Sequence, residues 1–422
     1  MTACAAWVSN LHRDRESIVK DMARVLFLSY DGLTDPLGRS QIMPYFLGLS
    51  RQHAIHIVSF EKKRNPDLLS PVQETLEAAG IGWTPLQYHK KPSVLSTLYD
   101  IFLLERSCRD LIQTFHPTVI HCRSYITAFA GLRRAHRLPF LFDMRGFYAD
   151  ERRESGLWPS GHPLYTAIYR YFKWMEKKFL RRSAHIVSLT EAGAEVMVRD
   201  MQVSREKITV IPCAADMAFF SEPRFSRQRL RRELEIPETA PVLVYAGSLG
   251  TWYLPVEMMR FFRVFENLHP GSIFLILNQG EHHLALQAAE KAGVDLRHVR
   301  LRSATREEMP HYLQAADAGL FFVFPTFSKK ASSPVKMGEM LAAGLPVIAN
   351  SGVGDVEKII QKTGCGLLVK DFSETTFRAV AQLFEPHKQA MKAQTLSAAQ
   401  KYFDLQRGIQ KYHEIYEKLS PF

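Results

Sequence analysis

Two side chains stand out for the chemistry their spacing permits. Lys336 and Glu339 are three residues apart, directly after Ser332-Ser333-Pro334. Ser333-Pro334 reads as a helix start, a capping hydroxyl followed by proline at the first helical position. Lys336 then lies in the first turn, and Glu339 projects from the same face. A helix start offers unpaired N–H groups and a positive dipole end, which favour phosphate, and a lysine adds a point charge there. A carboxylate that accepts two hydrogen bonds suits the two hydroxyls of a ribose. A nucleoside diphosphate meets both demands. A solvated Lys–Glu pair explains the same spacing without a ligand.

Other candidates sit at the ends of apolar runs. Gly247-Ser248-Leu249-Gly250 follows the run 242–245, where small residues let backbone amides approach a diphosphate. Gly38, beside Arg39 in the loop 30–40, lets the backbone come close to a ligand; Gly32 reads as an ordinary turn residue. His121 and Arg123 lie at the end of a strand predicted over 118–121, where ligands bind, although a histidine there is more often a structural hydrogen-bonder. Asp143 and Arg145 open a charged stretch, 144–161, predicted as a long loop and so a functional one. Arginine holds a phosphate or a sugar hydroxyl but is no base at neutral pH. For the charges 151–154, ion pairing in a solvated loop is an equal account.

The elements that must position these groups repeat one pattern. Short apolar runs at 24–29, 55–60, 140–143, 184–189, 242–245, 272–278, 319–324 and 347–349 suit strands buried on both faces. Helical stretches separate them, so each half is a parallel-sheet unit with its ligand site off the carboxyl ends of the strands. A helix is predicted to start at Ser70-Pro71, and Asp355 to cap the helix that follows Gly354. The stretch 212–224 reads as a crossover between halves. The first strand lacks the three-glycine dinucleotide fingerprint.

On these residues the chain resembles the retaining glycosyltransferases of family 4, which have the GT-B fold. The resemblance rests on Ser333, Pro334, Lys336 and Glu339, followed by Ala343-Gly344-Leu345-Pro346-Val347-Ile348. It is to the subgroup written Ser-Pro-x-Lys-x-x-Glu; the first glutamate of the two-glutamate motif falls on Ala331. Two doubly wound Rossmann-like α/β domains facing across a cleft are implied: 22–215 for the acceptor, 216–400 for the nucleotide sugar, and a last helix, 401–422, returning to the first. The resemblance implies transfer from a nucleotide sugar to a polyprenyl-linked or other saccharide acceptor, without a metal or other cofactor. Gly38, Gly247, Ser248, Ser332, Ser333, Lys336, Glu339 and Met340 would hold the donor. His121, Arg123 and Arg145 would meet the acceptor, and Lys336, Arg145 and Asp143 would serve the chemistry. Arg145 takes the position of a family histidine, and the donor phosphate would take the acceptor proton. Ser248 stands near the family's phosphate-loop arginine, so Lys336 carries more of the charge, with Arg302, Lys329 and Lys330 in reserve.

Composition bounds the partners. The 422 residues carry 54 basic and 43 acidic side chains, a formal net charge of +11, which favours an anionic partner. Hydrophobic residues at 46% and charged ones at 23% exclude a disordered or fibrous chain. The five cysteines form no Cys-x-x-Cys pair, pointing to the reducing cytoplasm rather than a disulfide or zinc framework. The apolar piece 5–8 is too weak for a secretory signal, and residues 1–21 read as a loose extension ahead of Met22. The helix predicted over 164–182 interleaves basic and aromatic residues, suiting an anionic membrane surface at the inner face of the cell membrane; a core helix with a basic outer face is the plainer reading. Two rivals remain: a sugar-nucleotide epimerase or hydrolase on the same fold, and a non-catalytic module that binds nucleotide sugar. Nucleic acid is not an expected partner.

Overall fold

The computed structural model describes residues 22–62, 65–221 and 226–420. The predicted extension 1–21 lies outside them. The first half runs β1 (Arg24–Ser29), α1 (Pro36–Gln41), α2 (Met43–Leu49), β2 (Ala54–Glu61), α3 (Pro66–Ala78), β3 (Gly82–Gln87), α4 (Ser93–Phe115), β4 (Val119–Arg123), α5 (Ser124–Arg134), β5 (Phe140–Asp143), α6 (Tyr148–Glu154), α7 (Pro163–Arg182), β6 (His185–Ser188), α8 (Glu191–Met201) and β7 (Ile208–Val210). The second runs α9 (Met217–Ser221), α10 (Arg227–Glu233), β8 (Val242–Ala246), α11 (Pro255–Leu268), β9 (Ile273–Leu277), α12 (His282–Ala292), β10 (Val299–Arg302), α13 (Met309–Gln314), β11 (Ala318–Phe321), α14 (Val335–Ala342), β12 (Val347–Asn350), α15 (Val356–Thr363), β13 (Gly366–Val369), α16 (Glu374–Tyr402) and α17 (Leu405–Leu419).

Each half builds one all-parallel sheet, in the orders β3-β2-β1-β4-β5-β6-β7 and β10-β9-β8-β11-β12-β13. The central strands are buried along their whole length, as their unbroken apolar sequences require when helices cover both faces. Strand order reverses between β1 and β4 and again between β8 and β11, and each reversal leaves a crevice at the carboxyl ends. The two crevices face each other. This is the doubly wound two-domain α/β architecture expected from the sequence.

The last helix closes the assembly. Leu405, Ile409, Tyr412, Ile415 and Tyr416 of α17 share one core with Val25, Phe27, Phe46 and Leu141 of the first sheet and its helices. Gly48 and Gly408 permit the crossing. A Cβ on Gly48 would stand 2.4 Å from Ile409 Cδ1, and one on Gly408 2.7 Å from the Tyr45 ring. Where the chain crosses between halves at residue 215 and returns at 404, the passages are stitched together: Ala215 N–H donates to Phe403 O at 2.7 Å and Leu405 N–H to Ala215 O at 3.2 Å.

Several local expectations need correction. The loop 30–40 contains α1, so Gly38 and Arg39 are helical. Helix α3 starts earlier than Ser70, at Asn65-Pro66, because the Asn65 side chain caps Asp67 N–H. The charged stretch 144–161 is not all loop: α6 lies within it, and α9 lies within the crossover 212–224.

Candidate functional site

The facing crevices enclose a cleft of ≈ 1030 Å³, lined from the first domain by Asp31, Asp35, Arg39 and Lys62 and from the second by Gly247, Ser248, Tyr253, Arg306, Ser332, Ser333, Lys336 and Glu339. Its centre is α14. Ser333 does not cap this helix; its Oγ accepts from Cys213 N–H at 3.2 Å, tying the helix start to the interdomain crossover. Ser332 and Ser333 remain on the cleft wall.

Lys336 is 6% exposed. Its Nζ donates to Tyr245 Oη at 2.8 Å and lies 3.3 Å from the Tyr253 ring centroid and 4.0 Å from that of Tyr245. Among the described residues no ion pair reaches it. Burial therefore pushes its pKa well below the ordinary lysine value, with Glu339 opposing. Tyr245 Oη in turn donates to the Ser248 carbonyl, so one phenol links the lysine to the glycine loop. Gly247 has φ +119°, and a Cβ there would sit 3.3 Å from Lys336 Nζ. A cation held by π-faces and a phenol, without a carboxylate, stands ready for an anionic ligand.

Glu339 faces the same cleft. Burial pushes its carboxyl up, opposed by Arg306, whose Nη1 lies 3.3 Å from Oε1. Arg306 follows β10 and rests over the Phe219 ring at 5.3 Å. It is a cleft guanidinium that the sequence reading missed. Of the reserves, only Lys329 lines the cleft, and there it is already paired. Lys329 pairs with Glu151 at 2.7 Å and covers Trp252 at 3.5 Å, Lys330 Nζ is 5.7 Å from the Phe327 ring, and Arg302 donates to Leu301 O.

Four other candidates do not enter the cleft as expected. Met340 is fully buried under the sheet, where a Cβ on Gly319 would meet its Sδ at 2.2 Å. Gly38 makes its close approach to the chain itself: a Cβ would stand 2.1 Å from Gly32 O. His121 is buried among Phe27, Tyr412 and Tyr416, with Nδ1 2.6 Å from Tyr416 Oη, and burial lowers its pKa. It is closed off by α17 and has no route to an acceptor. Arg123 is likewise buried and reaches the cleft only through Asp31, which accepts from its Nε at 3.2 Å.

These buried groups form one cluster around Asp143. Strand register sets Arg123 beside Asp143 at the sheet's carboxyl edge. Asp143 Oδ2 lies 3.5 Å from His121 and 3.8 Å from Arg123, Oδ1 lies 3.8 Å from Arg145, and Tyr412 donates to Oδ2 at 3.1 Å. Burial alone would raise the Asp143 pKa; Arg145, then His121 and Arg123, hold it below the usual carboxylate value. Arg145 occupies the left-handed region at φ 59° and its Nη2 lies 3.5 Å from Cys213 Sγ. Through Cys213 it meets the residue whose N–H holds Ser333.

The segment 327–335 is clamped by the first domain. Glu154 accepts from Ser328 N–H, Thr190 Oγ1 donates to Lys330 O at 2.6 Å, and Phe147 stacks on Phe327 at 5.1 Å. Contrary to the sequence reading, Asp355 makes no side-chain cap of its own helix; it caps α8 of the other domain, accepting from Glu191 N–H at 2.7 Å and Ala192 N–H at 3.0 Å. Thr190 satisfies Gly193 N–H of the same turn.

Comparison with known proteins agrees with this architecture. Residues 48–219 match the family described as Glycosyltransferase Family 4 and residues 240–385 the family described as Glycosyl transferases group 1. The two matches fall one in each half of the chain, on the first and second sheets. It is similar to a UDP-Gal:alpha-D-GlcNAc-diphosphoundecaprenol alpha-1,3-galactosyltransferase of Escherichia coli, 25% identical over 43% of this chain and 46% of that protein. It is also similar to a 2-deoxystreptamine glucosyltransferase of Streptomyces kanamyceticus, 28% identical over 49% of this chain and 51% of that one. The chain spans about half the length of the curated relatives it matches. A glycosyltransferase crystal structure from Rickettsia africae shares the fold at TM-score 0.70 and 11% identity, covering 94% of this chain and 99% of that chain.

Proposed function

We propose that the protein is a retaining glycosyltransferase that moves a sugar from a nucleoside diphosphate donor to a lipid-linked saccharide acceptor. The observation that carries the reading is Lys336: a buried cation without a carboxylate partner, at the start of α14, beside Gly247-Ser248 and one turn from Glu339. A diphosphate supplies the missing charge, and Glu339 accepts from the ribose hydroxyls once Arg306 swings to the phosphates or base.

In the reaction the anomeric C–O bond breaks and the diphosphate departs with the bonding pair. Lys336, Arg306 and the free N–H groups of α14 neutralise that charge, so the reading requires no metal. The acceptor oxygen bonds the anomeric carbon on the face the diphosphate leaves, and its proton passes to a departing phosphate oxygen. Asp143 and Arg145 act as positioning residues through Cys213 and Ser333. The acceptor lies along Asp31, Asp35, Arg39 and Lys62 in place of the buried His121. The basic face of α7 borders a recess of ≈ 650 Å³ lined by Lys177, Lys178 and Arg181, which supports contact with an anionic membrane on the cytoplasmic side.

The experiment is a panel of UDP-, GDP-, ADP- and TDP-sugars screened for thermal stabilisation, followed by incubation of the stabilising donor with diphosphopolyprenyl saccharides. A glycosylated acceptor with the donor's anomeric configuration is expected. Free or isomerised sugar as the sole product would overturn the reading.

A further inference from the structure

Helix α4 carries an anomaly that the cleft does not use. Leu95 is 66% exposed, Leu98 58% and Phe102 58%, with Tyr99 and Val94 also exposed. At 100° per residue these five side chains fall within about 140° of the helix circumference, over roughly 12 Å of its length. The opposite side is spoken for. Leu104 and Cys108 enter the core, and buried Asp100 accepts from Tyr30 Oη at 2.7 Å. A contiguous ridge of large apolar groups facing water marks an interaction surface.

Charge identifies the occupant. Lys90 and Lys91, both exposed, precede the ridge, and Arg106 and Arg109, also exposed, continue its own face one and two turns on. An apolar centre with cations at both ends matches a bilayer boundary, the leucines and aromatics among acyl chains and the cations on anionic headgroups. Leu157, ahead of α7, and Leu164, in its first turn, are also more than half exposed. Helix α4 follows β3 and α7 leads back into β6, so their N-terminal ends lie toward the carboxyl edge of the sheet, where the cleft opens.

We infer that α4 is the membrane-seating helix, its Leu95–Phe102 ridge inserting into an anionic bilayer so that the cleft mouth lies at the lipid surface. Seating itself follows from the ridge and its flanking cations; only its use, delivery of a lipid-linked acceptor, rests on the proposed function.

The test is sedimentation of the full chain with vesicles of phosphatidylethanolamine and phosphatidylglycerol, comparing wild type with Leu98→Gln/Phe102→Gln. Both positions are exposed, so the variant's melting temperature without vesicles is expected to be unchanged. Wild type should sediment with phosphatidylglycerol vesicles, and the variant should partition roughly tenfold less. Transfer to a short-chain, water-soluble acceptor should be equal in the two proteins. Wild type that stays in solution, or a variant that sediments as well as wild type, would overturn the inference. So would a wild-type dimer that the variant dissolves, since the ridge would then bind a second copy. Absence of transfer in both proteins, with sedimentation as expected, would count against the proposed function and not against seating.

Discussion

Lys336 and Tyr245 stand 2.8 Å apart, ammonium to phenol, and the same phenol holds the carbonyl of Ser248. One strand residue thereby sets both halves of the proposed phosphate site, the cation on α14 and the loop after β8. Tyr245→Phe would leave the aromatic wall but cut both links. The expected result is a loss of about 1 kcal/mol in stability and of roughly tenfold in nucleoside diphosphate affinity, read by thermal unfolding and calorimetry.

A buried, unpaired ammonium is a cost to the free protein. The folded pKa of Lys336 is depressed, so its contribution to stability is favourable only above the ordinary lysine pKa and is lost as pH falls through the depressed one. At neutral pH the residue therefore destabilises the empty fold. Lys336→Met should raise stability by ~1–3 kcal/mol while abolishing nucleotide-induced stabilisation. A variant both less stable and still stabilised by nucleotide would show that Lys336 serves packing.

Ligand charge should also return the proton. A bound diphosphate raises the Lys336 pKa toward its usual value, so binding takes up protons wherever the free lysine is partly neutral. Affinity is expected to fall as pH rises through the depressed pKa, and calorimetry in buffers of different ionisation enthalpy should report uptake. In Lys336→Met that uptake should vanish.

Asp355 joins the domains by capping α8, and burial raises its carboxyl pKa against the pull of the Glu191 and Ala192 N–H groups. A raised carboxyl pKa means that the ionised form is not favoured by folding; the stability it adds is full below the ordinary aspartate value and is lost as pH rises. The useful elements are the two acceptor oxygens, one for each N–H. Asp355→Asn keeps one acceptor and should cost less than Asp355→Ala, which should cost about 1 kcal/mol by denaturant unfolding.

The strands, the two-sheet plan and the Lys336–Glu339 face were legible in the sequence because each is written locally, in unbroken apolar runs and a helix start. What was missed is written across distance. Arg306 meets Glu339 33 residues on, and Asp355 meets Glu191 164 residues back. His121 looked like a ligand at a strand end, but α17, arriving 295 residues later, buries it. Tyr245 was hidden inside a strand run that explained itself. Helix α6 (YADERRE) has no apolar period to betray it; Asp150 is held by Tyr169 and Lys173, and Glu151 by Lys329. The ridge on α4 was invisible because exposure, not sequence, makes it anomalous.

Titrating the stabilising nucleoside diphosphate sugar into wild type, Lys336→Met, Glu339→Gln and the double variant by calorimetry tests the site most directly. Each single substitution should weaken binding at least about tenfold, and in the double-variant cycle the two losses should couple, because both side chains grip one ligand. Wild-type affinity in either single variant would place the nucleotide elsewhere and contradict the account.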